Sequence, residues 1–261
     1  MSSARHDAET HPAPTAEVEH GQAPPTPTAG GISLVAAVVA GALLCALVAA
    51  LVGTYDSVKE RDGLSQLDRP VLDWMVAHRT AALDTSVTAF THVGGPVVLP
   101  VVLAVVTALL AWRWHSWTPV AAMVLATAGS LAMTVAGKGL TARARPPQSL
   151  AVPPLETSPS FPSGHTLNST VVAVVLAYLV LLHVKGRVVR RVVVVGLGVY
   201  AVLMGLSRVY LGHHWLTDVV AGWTAGAAWA VALIAAHRLL LAVQHRRREQ
   251  HVARPHRQPA S

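Results

Sequence analysis

Apolar and polar positions alternate along this chain on the scale of whole helices rather than of single residues. Six apolar stretches, at 32–52, 97–112, 117–136, 166–184, 192–206 and 216–236, stand between shorter polar segments. Each can cross about 30 Å of hydrocarbon at about 1.5 Å per residue, the second and fifth by borrowing flanking residues. None alternates like a barrel strand, and unpaired backbone polar groups are intolerable in lipid, so helices are the expected spanning form. The pattern therefore predicts an all-α fold, a six-transmembrane-helix bundle. Between the first two spans lies a mixed segment, about 54–95, in which Leu67, Val71, Trp74, Met75 and His78 recur at helical spacing. An interfacial helix lying in the headgroup plane is expected there, with a lid over an active site as the functional alternative.

The ends read differently. Residues 1–30 mix Pro, Ala, Thr, His and Glu without apolar periodicity, which predicts a disordered tail. The apolar stretch that comes next is too long for the core of a cleavable signal peptide and is preceded by acids, so a retained span is expected. The division predicted is a tail over 1–30, a membrane domain over 31–237 and a basic tail over 238–261.

Composition supports the membrane and refines the orientation. The chain is 52% hydrophobic and 13% charged, with a mean hydropathy of +0.47. Its net charge of +7 is carried by Lys and Arg at the ends of apolar runs and in the tail, which suits anionic lipid headgroups rather than nucleic acid. Of the 20 Lys and Arg residues, twelve fall on the face holding both tails and eight on the other. The positive-inside rule then predicts cytoplasmic termini. Cys45 is the single cysteine, excluding an internal disulfide and a thiolate metal site; a buried apolar thiol is expected.

Three polar stretches carry the chemistry: Lys138 with Arg145-Pro146, then Pro162-Ser163-Gly164-His165, then Ser207-Arg208 with His214 and Asp218. With six spans all three emerge on one membrane face, here the extracytoplasmic one. His214 and Asp218 are four apart, so on a helix an Asp would hold the proton on one ring nitrogen and leave the other nucleophilic. Alone, such a spacing also describes an ordinary helix-surface pair. Ser163 and Gly164 have the grammar of a helix start, where backbone amides receive anions, and His165 beside a bound phosphate could protonate a leaving group. Lys138, Arg145 and Arg208 supply positive charge without a metal. Arg143 is as suited to a headgroup contact as to a ligand. Ser207 is expected to be structural, and His213 to point elsewhere on a helix.

The series Lys138-x6-Arg145-Pro146, Pro162-Ser163-Gly164-His165 and Ser207-Arg208-x5-His214-x3-Asp218 resembles the type 2 phosphatidic acid phosphatase superfamily, which includes vanadium haloperoxidases. The likeness in organisation covers roughly residues 60–240, and no motif residue departs from the pattern. The resemblance implies six helices, no metal or other cofactor and a phosphohistidine intermediate. It assigns His214 as nucleophile, Asp218 as its orienting partner and His165 as general acid, with Lys138, Arg145, Ser163, Gly164 and Arg208 holding phosphate.

The function expected is a lipid phosphatase of a bacterial cytoplasmic membrane. It would act on a lipid phosphate or pyrophosphate such as phosphatidate, phosphatidylglycerophosphate or undecaprenyl pyrophosphate. Transfer to another lipid, vanadate-dependent oxidation and non-catalytic lipid binding or transport are the alternatives. The partners expected are the lipid substrate and membrane lipids.

Overall fold

The computed structural model describes residues 34–252, and these form eight α-helices. They are α1 (Leu34–Glu60), α2 (Asp68–Ala77), α3 (Ala81–His92), α4 (Val98–Trp114), α5 (Thr118–Thr141), α6 (Gly164–His183), α7 (Arg187–Tyr210) and α8 (Leu216–Val252). The expected tail over 1–30 lies outside the described residues. α1, α5, α6, α7 and α8 are each long and apolar enough to cross a membrane, while α4 is an apolar helix of 17 residues.

α6 is the centre of the bundle. It packs against α5, α7 and α8, while α1 lies on α8 and α4 on α5. Leu167, Val171, Val175 and Leu179 of α6, at helical spacing, meet Met123 and Ala126 of α5 and Ala225 and Ala230 of α8. Glycine sets one approach that matters for the site. A Cβ at Gly137 on α5 would fall 2.5 Å from Pro162 Cδ, so glycine lets the Pro162–His165 stretch sit directly on α5.

Burial does not follow hydropathy. Val35, Leu43 and Val52 on α1 are exposed, because that helix touches protein along one side and presents the rest outward. Cys45 is exposed on it too, not buried as expected, since an apolar thiol faces lipid as readily as a core. α8 runs on through the basic stretch to Val252, so much of the segment read as a tail from 238 is helix.

The mixed segment divides in two. Its first residues complete α1, and α2 and α3 then pack on α7. In α2 the face turned to protein carries Asp68 and Leu72; of the periodic stripe, Trp74 and the flanking Leu67 and His78 are exposed, while Val71 and Met75 are half-buried. Polar contacts tie the segment to the site. Asp68 accepts from the Thr217 amide at 2.8 Å, Arg79 donates to the carbonyl of Leu150 at 2.6 Å, and the Tyr210 hydroxyl donates to Asp84 at 2.8 Å.

Candidate active site

Four chain segments converge at one end of the bundle: the last turn of α5, the loop 142–163 with the first turn of α6, the end of α7, and the turn 211–215 leading into α8. Gly212 makes that last turn possible. Its φ of +71° is in the left-handed region, and a Cβ there would lie 2.4 Å from the Leu150 carbonyl oxygen. The turn carries His213 and His214, so both precede α8 rather than riding on it.

His214 is 1% exposed and Asp218 fully buried. His214 Nδ1 lies 3.3 Å from Asp218 Oδ2, and because a carboxylate can only accept, the ring proton sits on Nδ1. The same oxygen accepts from the Trp215 amide at 2.9 Å and from the Ser160 hydroxyl, and Oδ1 accepts from Arg143 Nη1 at 2.5 Å. A carboxylate held this way cannot rotate, and the imidazole it orients turns Nε2 outward. Nε2 accepts from Arg145 Nη1 at 3.1 Å. Burial holds the His214 pKa down to about 4 against the opposing pull of Asp218, so the ring is neutral at pH 7.

A cavity of about 990 Å³ opens from this point along α4 and α5. Lys138, Gly164, His165, Arg208, His213 and His214 line its head, and Leu103, Thr107, Met123 and Thr127 line its apolar length. Five of the eight sequence-predicted residues therefore share one chamber. The other three do not line it. Asp218 stands behind His214. Arg145 sits in the adjoining wall, its guanidinium fixed by the carbonyls of Ser158 at 2.6 Å and His213 at 2.5 Å. Ser163 is fully buried at the start of α6, where its amide donates to the Asp218 carbonyl at 3.1 Å and its hydroxyl accepts from Thr166 at 2.9 Å.

Other residues take places that the sequence did not indicate. Arg143 bridges Asp218 and Asp68, the latter at 2.6 Å, which makes it a strut behind the His214–Asp218 pair rather than a headgroup contact. His213 lines the cavity, with Nε2 on the Val152 carbonyl at 2.8 Å and Nδ1 buried without a partner; burial and nearby Arg208 lower its pKa. Ser207 donates to the Met204 carbonyl at 2.6 Å, and Thr91 accepts from Arg208 Nη1 at 2.9 Å. Glu156 is the unforeseen member of the cluster. Its carboxylate pairs with Arg208 and, at 2.7 Å, with Arg145. Burial raises its pKa, but Arg208, His214 and Arg145 outweigh that and bring it to about 2. Among the described residues no three His, Cys, Asp or Glu side chains gather as a metal-ligand set.

An all-helical bundle with this constellation at one end defines a class, and comparison with known proteins identifies it. Residues 119–241 match the model of the PAP2 superfamily. The chain is 31% identical over 166 residues to phosphatidylglycerophosphatase B of Bacillus subtilis (strain 168), a stretch covering 63% of this chain and 80% of that protein. It therefore belongs to the PAP2 superfamily. The crystal structure of the transmembrane PAP2-type phosphatidylglycerolphosphate phosphatase from Bacillus subtilis superposes with a TM-score of 0.66 at 26% identity, over 76% of this chain and 96% of that one. Aquifex aeolicus LpxE shares the fold, with a TM-score of 0.50 at 24% identity, over 64% of this chain and 94% of that one.

Proposed function

We propose that this protein removes the terminal phosphate from a membrane lipid, with phosphatidylglycerophosphate the first substrate to test. One observation carries the reading: a buried imidazole, locked by a carboxylate and hydrogen-bonded through its unprotonated nitrogen to Arg145 in the adjoining wall, stands at the head of a chamber whose long wall is apolar. The arginine and its neighbours suit a phosphate, and the wall suits acyl chains. The Bacillus relative, named as a phosphatidylglycerophosphatase, supports the choice of substrate.

In the proposed reaction His214 Nε2 attacks phosphorus in line, and the P–N bond forms as the bond to the lipid oxygen breaks. His165 gives that oxygen its proton. Water then attacks the phosphohistidine, His165 takes the proton back, and inorganic phosphate leaves. Lys138, Arg145 and Arg208 stabilise charge on the equatorial oxygens, the task that a metal performs elsewhere. Gly164 and the amides opening α6 add backbone donors, with Ser163 anchoring that turn.

The proposed topology keeps six spans, with α4 as the second. Its 17 residues reach roughly 25 Å and fit a locally thin or adjusted bilayer. Both termini lie in the cytoplasm, the site faces the opposite side, and the exposed face of α2 rests among headgroups. Phosphate release from phosphatidylglycerophosphate, phosphatidate and undecaprenyl pyrophosphate by the purified chain, with and without a chelator, tests the proposal. Turnover of the first lipid unaffected by chelator is expected. No release from any of the three, or loss of activity on chelation, would overturn it.

A further inference from the structure

Glu156 stands where a phosphate ought to be. One of its oxygens pairs with Arg208 and lies 3.8 Å from His213 Nδ1; the other lies 2.7 Å from Arg145 Nη2 and 4.0 Å from His214 Nε2. A single carboxylate thus occupies both guanidinium groups that would grip phosphate oxygens and approaches the nitrogen that would attack phosphorus. A phosphate within bonding reach of His214 Nε2 needs those same N–H donors. Two anions cannot hold them at once in a chamber this sheltered, because like charges repel strongly where water is scarce.

Three features of the cluster favour the phosphate over the carboxylate. Arg208 is 1% exposed, yet its Nε–H is buried with no hydrogen-bond partner. Buried donors are seldom left unpaired. The planar carboxylate leaves this donor unused, whereas a tetrahedral oxyanion offers oxygens in more directions. Secondly, the Glu156 side chain is 28% exposed, against 2% for Arg208 and 10% for Arg145. The anion is the least enclosed member of the cluster. Thirdly, Glu156 lines both the main cavity and a second one of about 400 Å³ bounded by Arg145, Gln148, Ser158 and Gly212. It has somewhere to go, and the loop that bears it is neither helix nor strand.

Resting on the phosphatase reading, we propose that Glu156 is an internal occupant of the phosphate cradle, displaced by bound phosphate and returning when phosphate leaves. Its carboxylate offsets the paired charges of Arg145 and Arg208 in the empty site, a charge density that would otherwise be costly to bury. The same contacts make every incoming phosphate compete for Arg145 and Arg208. Glu156 therefore sets the affinity for substrate and product phosphate alike, and helps to expel the product.

The test uses the full chain in detergent and inorganic phosphate as the probe, at matched ionic strength against sodium chloride. Glu156→Gln and Glu156→Ala, which remove the charge with and without most of the side chain, should bind phosphate at least tenfold more tightly than wild type by calorimetry. The inhibition constant for phosphate in the turnover assay should fall by the same factor. Both variants should also melt below wild type without phosphate and recover when it is saturating, so that a variant that is poorly folded alone still reports through its rescue. Equal or weaker binding in both variants, or the absence of rescue, would overturn the proposal. Its failure is distinguishable from that of the underlying reading: if neither wild type nor any variant binds phosphate, the cradle itself is refuted, whereas equal binding removes Glu156 alone.

Discussion

Both ends of the same bundle gather histidines among helices, and they are built on different physics. At the far end, one length of α6 away, Trp114 stacks on His183 with ring centroids 3.9 Å apart, and the Tyr178 hydroxyl meets His237 Nδ1 at 2.7 Å. Among the described residues neither imidazole has a carboxylate within ion-pair distance. At the near end His214 has Asp218 on one nitrogen and Arg145 on the other, with Glu156 and Arg208 beyond. The first arrangement satisfies a polar ring at a membrane boundary. The second fixes which nitrogen carries the proton and surrounds the other with positive charge. Histidine alone marks neither; the buried carboxylate and the convergent cations separate them.

The contrast between the ends is most exposed at His214. Replacing it with Asn should abolish phosphate release, a loss on the order of 10⁴-fold or more, because no other group here is oriented as a nucleophile. Retained turnover would erase the distinction between the ends. Asp218→Asn should lower kcat by about 10³-fold with KM little changed, since the amide orients the ring without favouring the imidazolium that develops. A change confined to KM would place Asp218 in binding instead. Arg143→Gln should reduce kcat about tenfold, acting through Asp218, because its guanidinium reaches the carboxylate but does not line the cavity.

Stability offers a smaller, pH-dependent test. His214 titrates at about 4 in the folded protein and near the ordinary 6.5 when unfolded. Between those values the unfolded chain binds a proton that the native site refuses, so native stability falls as pH drops from 6.5 towards 4, by roughly 3 kcal/mol at most. Melting curves in detergent should show wild type losing more than His214→Asn over that window, and an equal loss would contradict the assignment. The smallest effect belongs to the far end. His183→Ala and His237→Ala should leave kcat/KM within about twofold, and a larger fall would mean that the two ends are coupled.

The candidate site was legible because its members are chemically rare in an apolar chain and recur at the ends of the last four helices: Lys138 closing α5, His165 opening α6, Arg208 closing α7 and Asp218 opening α8. Long-range pairing was not. Arg143 meets Asp68 across more than seventy residues, and nothing periodic in either neighbourhood announces it. Glu156 was missed because it lies in an irregular loop; an acidic residue between two motifs already rich in cations was the available signal. The environment of Cys45 misled because in lipid an outward face is as apolar as an inward one. The spans and the motif residues thus come from composition and order, while the partners of Arg143 and Glu156 emerge from packing.

Covalent capture tests the central claim most directly. Brief incubation of the protein with a lipid carrying labelled terminal phosphate, followed by denaturation, should leave label on His214 that survives alkali and is lost in acid, as expected of phosphohistidine. Label absent from His214→Asn and present in wild type is the predicted result. Label on another residue, or full turnover by His214→Asn, would contradict the phosphohistidine mechanism.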